Sequence, residues 1–285
     1  MDENQIILID KPAGISSFGV VAKIRGYLRA KFDHKVKVGH TGTLDPFATG
    51  LLIILTGKNT KKSDEFLKKD KVYEAELKLG YTSTTGDPEG IIEEVQHQSF
   101  SEHTRTEQCP NEGPTWAGDA AWGKDEVHKV QHQSFSEHTR PTGSVQATKP
   151  RNDGREGACP KKIDIELTLR SFLGEITQTP PRFSAIKVGG ERAYKLARKN
   201  VDFKLPSRKV TIYSIDILEY DYPTLKIRTH VSSGTYIRTL AEDIGKKLGT
   251  GAYLTALRRI IIAEYDVKDA HQLSEFTNPS QSDII

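Results

Sequence analysis

The sequence has few of the residues that mark secreted, membrane-spanning or metal-binding chains. Only 2 of its 285 residues are cysteine, which excludes a disulfide framework and makes a reducing, cytosolic setting the default. No apolar run reaches the roughly 18 residues of a transmembrane helix, so no membrane partner is expected. The N-terminal MDENQIILIDKP lacks a basic region followed by an apolar one, which argues against a signal peptide. A cytoplasmic globular protein is predicted.

Motifs for common cofactors are also missing. Gly57-Lys58-Asn59 does not complete a P-loop, and no GxGxxG follows a strand, so a nucleotide cofactor has no support. No CxxC or HExxH pair occurs, so no metal site is expected. The net charge of +3 permits an RNA or phosphate partner without requiring one.

Residues 96–160 differ in composition from the rest of the chain. They contain no Leu, Ile or Met, yet hold five of the nine histidines and both cysteines. The sequence VQHQSFSEHTR at 95–105 recurs unchanged at 130–140. So little aliphatic surface cannot offset the entropy of ordering the segment. It is predicted to be a disordered insertion: either a tolerated surface loop or a sequence artefact.

The flanking residues, 1–95 and 161–268, have the patterns of one globular domain, followed by a short tail at 269–285. Ser16 or Ser17 can cap a helix that carries Val20, Val21, Ile24 and Leu28 on one face. Because the strands come in groups, an α+β fold with a mixed, largely antiparallel sheet flanked by helices is favoured over a doubly wound one. Strands are predicted at 6–10, 50–57, 71–80, 209–220, 224–231 and 260–267, and helices at 191–198, 235–248 and 252–259.

Residues 39–52, GHTGTLDPFATGLL, form the segment with the strongest chemical signal. Glycines, threonines and a proline around Asp45 predict a tight loop ahead of a buried strand. An Asp held there can act as a nucleophile or a base, or it can simply cap backbone N–H groups in an Asx turn.

Two further segments could contribute to a site. Arg238, at the start of a predicted helix, needs an anionic partner, either an active-site carboxylate, an RNA phosphate or a structural acid. The segment QTPPRFSAIK at 178–187 offers Phe183 and Lys187 as an aromatic and basic surface, or serves as a rigid connector.

Seven motifs in order resemble the TruB-type tRNA pseudouridine-55 synthases of bacteria. They are KPAGISS at 11–17, the Asp45 loop at 39–52, KVYEA at 71–75, GDPEG at 86–90, QTPPRFSAIK at 178–187, SGTYIRTLAEDIG at 233–245 and AYLTALRR at 252–259. The resemblance implies the pseudouridine synthase fold and a cofactor-free isomerase. Such an enzyme flips a uridine out of the tRNA T loop, detaches the uracil and rejoins it through C5.

The resemblance also implies roles for individual residues. Asp45 is the catalytic carboxylate, acting on the sugar or base as nucleophile or removing a ribose proton. Arg238 pairs with Asp45 and keeps it ionised. Tyr73 stacks on the uracil and can accept the C5 proton. The remaining implied residues bind or support the substrate: His40, Lys11, Leu254, Thr43 and Lys187.

The chain departs from the family at two places. Thr84 occupies a position where Asp is common, and only a short segment follows Arg259, so a full C-terminal PUA-like domain is not expected. Two alternatives to a monomeric tRNA-modifying enzyme stay open: a non-catalytic tRNA-folding chaperone, and the catalytic subunit of a guide-RNA pseudouridylation particle.

Overall fold

The computed structural model describes residues 2–95, 159–184, 186–199 and 201–276. In these ranges the helices are α1 (Ser17–Phe32), α2 (Ser63–Leu67), α3 (Lys162–Arg170), α4 (Ala193–Arg198) and α5 (Ile237–Leu248). Short 3-10 helices are Gly57–Lys62, Val267–Asp269 and Leu273–Glu275. The strands are β1 (Ile6–Lys11), β2 (Val38–His40), β3 (Thr49–Thr56), β4 (Lys71–Leu79), β5 (Tyr81–Ser83), β6 (Ile92–Glu94), β7 (Gly174–Gln178), β8 (Lys187–Val188), β9 (Glu191–Arg192), β10 (Arg208–Asp221), β11 (Thr224–Val231), β12 (Ala252–Ile262), β13 (Tyr265–Asp266) and β14 (His271–Gln272).

One mixed sheet organises the described part of the chain. Its strand order is β14-β1-β3-β12-β4-β11-β10-β7, with β2 added on β3 and β13 on β12. Most neighbours are antiparallel, whereas β1–β14 and β3–β12 are parallel. The predicted α+β class with a largely antiparallel sheet is therefore confirmed. The predicted insertion at 96–160 lies, except for its last two residues, outside the described residues.

Helix α1 forms where the sequence predicts it. The Ser16 hydroxyl accepts a hydrogen bond from the Gly19 amide, which satisfies one of the free N–H groups of the first turn. Val20, Val21, Ile24 and Leu28 are buried and pack on β1 and β3. Burial of this apolar face attaches the helix beside the loop that carries Asp45.

Helix α5 packs on β12 and β4 through a second, larger core. Its buried face consists of Ile237, Leu240, Ala241 and Ile244. A Cβ atom on Gly245 would lie only 2.2 Å from the Ala252 nitrogen, so the close approach of helix and strand requires glycine there. This packing directs the first turn of α5 toward the β2–β3 loop.

The helix predicted at 252–259 is wrong, because these residues form most of β12. The strand pairs with β4 along its length, with register shifts between Leu254 and Ala256 and between Arg259 and Ile261. A bulge adds one residue and breaks the two-residue alternation of a strand. The apolar residues Leu254 and Leu257 are therefore three apart and imitate a helical spacing while both face the core.

The last described residues join the domain. Strand β14 pairs in parallel with Ile9 and Asp10 of β1, and Leu273 is buried against the α1 core. Of the two cysteines on which the expectation of a reducing setting rests, Cys109 lies outside the described residues. Within the described ranges, no helix combines the length and apolar character needed to cross a membrane.

Candidate active site

The Asp45 loop connects β2 to β3 and forms hydrogen bonds with residues at the end of β1 and at the start of α1. Leu44 exchanges two hydrogen bonds with the Ser17 hydroxyl, at 2.9 and 2.8 Å. The Pro46 carbonyl accepts from the Lys11 ammonium at 3.2 Å and from the Gly14 amide at 2.8 Å. The loop is thus fixed on both sides of Asp45, as its composition predicts.

Arg238 brings Asp45 together with a second carboxylate. Its Nε lies 3.1 Å from Oδ2 of Asp45, and its Nη1 lies 3.1 Å from Oδ2 of Asp87. The guanidinium also donates to the carbonyls of Thr85 at 3.0 Å and Phe183 at 2.9 Å. These four contacts orient the Arg238 side chain, which is only 5% exposed, so that one edge meets Asp45.

Asp87 is the member of this network to which the sequence analysis assigned no role. Its side chain is 5% exposed, and it accepts from the Thr85 hydroxyl at 2.5 Å and from the Glu89 amide at 3.1 Å. The available signal was the GDPEG motif, where an Asp follows a glycine in a turn. Thr84, the departure from the family pattern, accepts a hydrogen bond from the Ile91 amide and closes this turn.

Burial and charge act in opposite directions on Asp45. Burial raises the pKa of the Asp45 carboxyl and is the largest influence, while the Arg238 guanidinium lowers it. The Asp87 carboxylate raises this pKa further, and the Lys11 ammonium lowers it. The pKa is held above its ordinary value, so Arg238 opposes the cost of burial without cancelling it.

Tyr73 lies on β4 beside the Asp45 loop. It is 8% exposed and belongs to the core cluster that includes Leu44 and Ala48 of that loop. In the sheet it stands opposite Thr229 on one side and Arg259 on the other. The fold therefore brings Asp45, Tyr73 and Arg238 to one region, as the resemblance implies.

His40 and Thr43 are at the start of the loop. Burial and the nearby Arg259 guanidinium lower the pKa of the His40 imidazole, which favours its neutral form near pH 7. Its Nδ1 is buried and has no hydrogen bond of ordinary geometry among the described residues. Thr43 is exposed.

Lys11 is fully buried, and its ammonium donates to the carbonyls of Pro12, Ile15 and Pro46. All three N–H groups are used, so its geometry supports the loop and leaves no donor for RNA. Burial lowers the pKa of Lys11 to about 8, with Asp45 opposing this shift.

Leu254 is farther from Tyr73 along the strand register than Leu257 is, and Lys187 lies outside the core. Leu254 is fully buried opposite Leu77, whereas Leu257 stands opposite Ala75 and so is nearer to Tyr73 in the strand register. Lys187 is exposed in the small β8–β9 hairpin.

Thr85 and Phe183, whose carbonyls hold Arg238, also line a cavity of about 420 Å³. Its other walls include Arg182, Glu242 and Lys246. Burial raises the pKa of the Glu242 carboxyl, which adds a weak acid to the polar lining. Among the described residues, no group of three or more His, Cys, Asp or Glu side chains is arranged to hold a metal ion.

The family described as "TruB family pseudouridylate synthase (N terminal domain)" matches residues 29–112 and 140–237. The chain belongs to the TruB family. The C-terminal domain of tRNA pseudouridylate synthase B matches residues 238–282, a range that includes Arg238, all of α5 after its first residue, and β12. Both sides of the Asp45–Arg238 pair thus lie within matched TruB segments.

Curated TruB relatives cover nearly the whole chain. A tRNA pseudouridine synthase B from Parabacteroides distasonis is 38% identical over 261 residues, which are 91% of this chain and 86% of that protein. The one from Phocaeicola vulgatus is 36% identical over 275 residues, covering 96% of this chain and 92% of that protein. At this identity over most of both chains, the fold is shared.

Solved structures with the same fold include larger assemblies. The crystal structure of a Cbf5-Nop10-Gar1 complex contains a chain with a TM-score of 0.54 and 23% identity, matching 95% of this chain and 53% of that one. An H/ACA RNP bound to a substrate RNA containing 2'-deoxyuridine gives a TM-score of 0.53 at 20% identity, over 95% of this chain and 51% of that one. This chain spans about half of each, so the similarity concerns the fold.

Proposed function

We propose that this protein isomerises uridine to pseudouridine in the T arm of tRNA, at position 55, without a cofactor. The observation that carries the proposal is the Asp45–Arg238 ion pair at 3.1 Å, formed between two matched TruB segments. Its relatives are named tRNA pseudouridine synthase B, which supports tRNA as the substrate. The site assembles from one chain, which favours a monomer, and a tRNA substrate favours a cytoplasmic location.

The reaction needs a flipped uridine and an ionised carboxylate. A base inside the T loop is stacked, so it must leave the stack before any side chain can reach its glycosidic bond. The neutral His40 imidazole can stack on neighbouring bases and form a hydrogen bond once the nucleotide has moved. Lys and Arg side chains around the site contact phosphates, which makes binding weaker at high salt.

Asp45 acts on the extruded nucleotide. Its carboxylate either attacks the sugar or base, or removes a ribose proton, and both routes require the charged form. Arg238 stabilises that form through its Nε, while Nη1 and Nη2 bind Asp87 and two carbonyls. Tyr73 holds the detached uracil with its ring. After the new bond forms, its hydroxyl takes up the C5 proton and passes its own proton to water, so the phenol stays neutral.

Tritium release tests the proposal. Purified protein is incubated with unmodified T-arm RNA whose target uridine carries tritium at C5, and tritium in water is counted. Release by the wild type, with none from Asp45→Asn, is expected, because Asn keeps the shape of Asp but cannot ionise. RNA binding by both proteins without release from either would refute the enzyme and favour an RNA chaperone.

A further inference from the structure

Arg259 is a buried charged residue that the proposed chemistry does not yet use. It lies on β12 between two strands, opposite Gly50 of β3 and opposite Tyr73 of β4. Its side chain is among the largest that are fully buried, with 1% of the residue exposed. It therefore stands between the strand that leaves the Asp45 loop and the strand that carries Tyr73.

The guanidinium of Arg259 closes the Asp45 loop at its base. Its Nη2 donates to the Gly42 carbonyl at 3.2 Å, and its Nε donates to the Leu51 carbonyl at 2.8 Å. Gly42 precedes Asp45 and Leu51 follows it, so one side chain joins both arms of the loop. The backbones also touch, since a Cβ on Gly50 would lie 2.3 Å from the Arg259 carbonyl oxygen.

The charge of Arg259 has no acidic partner in the part of the chain that the structure describes. The hydrogen bonds found for its guanidinium go to neutral carbonyls. Burial is the main cause that lowers the pKa of Lys11, His40 and Lys71, and the Arg259 charge lowers it further. A buried charge without a counter-ion is costly, and an apolar side chain of similar size would fill the space at lower cost. A purely structural role explains this choice poorly.

We propose that Arg259 is a positioning residue that holds the Asp45 loop at a fixed distance from Tyr73, so that carboxylate and ring engage the same nucleotide. The inference rests on the proposed isomerase function. Its physical basis is that a displacement of about 1 Å in a reacting group can cost roughly a hundredfold in rate. Arg259 does not touch the nucleotide; it acts through the loop.

Single-turnover tritium release separates positioning from stability. With enzyme in excess over tritiated T-arm RNA and at saturation, the observed rate constant reports the chemistry of the folded fraction. Misfolded protein lowers only the effective enzyme concentration. The variants are Arg259→Lys, which keeps the charge but lacks the planar fork, and Arg259→Met, which removes both bonds.

The neighbouring Arg258 provides a matched control. It sits on the same strand and binds Asp10 through two bonds, at 3.0 and 2.7 Å; its one contact near the loop is a long one, at 3.5 Å, to the Thr49 hydroxyl where β3 begins. Arg258→Lys makes the same chemical change one residue away. We expect its rate constant to stay within about twofold of the wild type, against a fall of about tenfold for Arg259→Lys and about a hundredfold for Arg259→Met. The RNA dissociation constant should change by less than about threefold in all three variants.

Each outcome is decisive. Arg259 variants that unfold at lower temperature but keep the wild-type rate constant would show a structural role and overturn the inference. A loss of RNA affinity without a change in rate constant would also overturn it. If Arg259→Met does not fold, the comparison of Arg259→Lys with Arg258→Lys decides the question. Absence of release from the wild type would overturn the proposed function instead.

Discussion

Replacement of Asp87 by Asn tests the charge balance around Arg238. Asp87 and Asp45 share one guanidinium, and the Asp87 carboxylate raises the pKa of Asp45. Asn keeps the volume and can still accept from Thr85 and from the Glu89 amide, but it carries no charge. We therefore expect the pKa of Asp45 to fall, so that the acid limb of the rate profile moves to lower pH.

The same change should reduce stability by a predictable amount. It weakens one charge-assisted hydrogen bond in a site where both side chains are 5% exposed. Such bonds contribute about 1.5–3 kcal/mol. A loss of about 2 kcal/mol corresponds to a fall of roughly 4–8 °C in Tm for a domain of this size.

The assays are the pH dependence of single-turnover tritium release and thermal unfolding. Asp243→Asn is the control, since Asp243 lies 3.7 Å from the exposed Lys246 ammonium on the same side of α5, and surface pairs contribute little. An acid limb that stays in place or moves to higher pH in Asp87→Asn would refute the reasoning. So would an Asp243→Asn protein that loses as much stability as Asp87→Asn.

Three further changes have expected outcomes. Burial raises the pKa of Asp45 in the folded state, so the folded state loses stability as the pH rises from the unfolded pKa to the folded pKa. Asp45→Asn should therefore unfold at a higher temperature than the wild type at pH 7. This difference in Tm should disappear below about pH 4. A lower Tm at pH 7 would contradict this. Gly50 has a φ of +101° and faces the Arg259 backbone, so Gly50→Ala should lower the free energy of unfolding in urea by about 3 kcal/mol or more. A decrease of less than about 1 kcal/mol would contradict the close approach of the two backbones. Tyr73→Phe should bind RNA with a dissociation constant within about twofold of the wild type, yet release tritium at least about tenfold more slowly, because proton transfer typically contributes 10²–10⁴-fold to the rate. An unchanged rate of release would show that the hydroxyl takes no part in the reaction.

Much of the fold follows from local patterns. Helix α1 is encoded by a capping serine and four apolar residues at helical spacing, and β1, β3, β4, β10 and β11 by apolar runs bounded by turns. These signals involve only near neighbours in the chain. Residues 252–259 of strand β12 were predicted as a helix because the bulges of this strand depend on pairing with β4, and pairing between distant segments leaves no local trace.

The candidate site divides in the same way. The Asp45 loop, Tyr73 and Arg238 were identified from the sequence because each lies in a motif with its own composition and because the motif order matches the TruB family. Asp87 and Arg259 were not assigned roles. Their partners, Arg238 and the Gly42 and Leu51 carbonyls, are more than 150 residues away in the chain.

The sequence by itself determined which elements could form, which loop carries the carboxylate, and which family the motif order resembles. Only the tertiary structure decided which charged side chains lie next to each other. Hydrogen bonds and ion pairs require atoms about 3 Å apart, and that proximity arises only when α5 and β12 pack against the β2–β3 loop. The pKa of Asp45, which burial raises, Arg238 lowers and Asp87 raises further, is therefore a property of the folded chain.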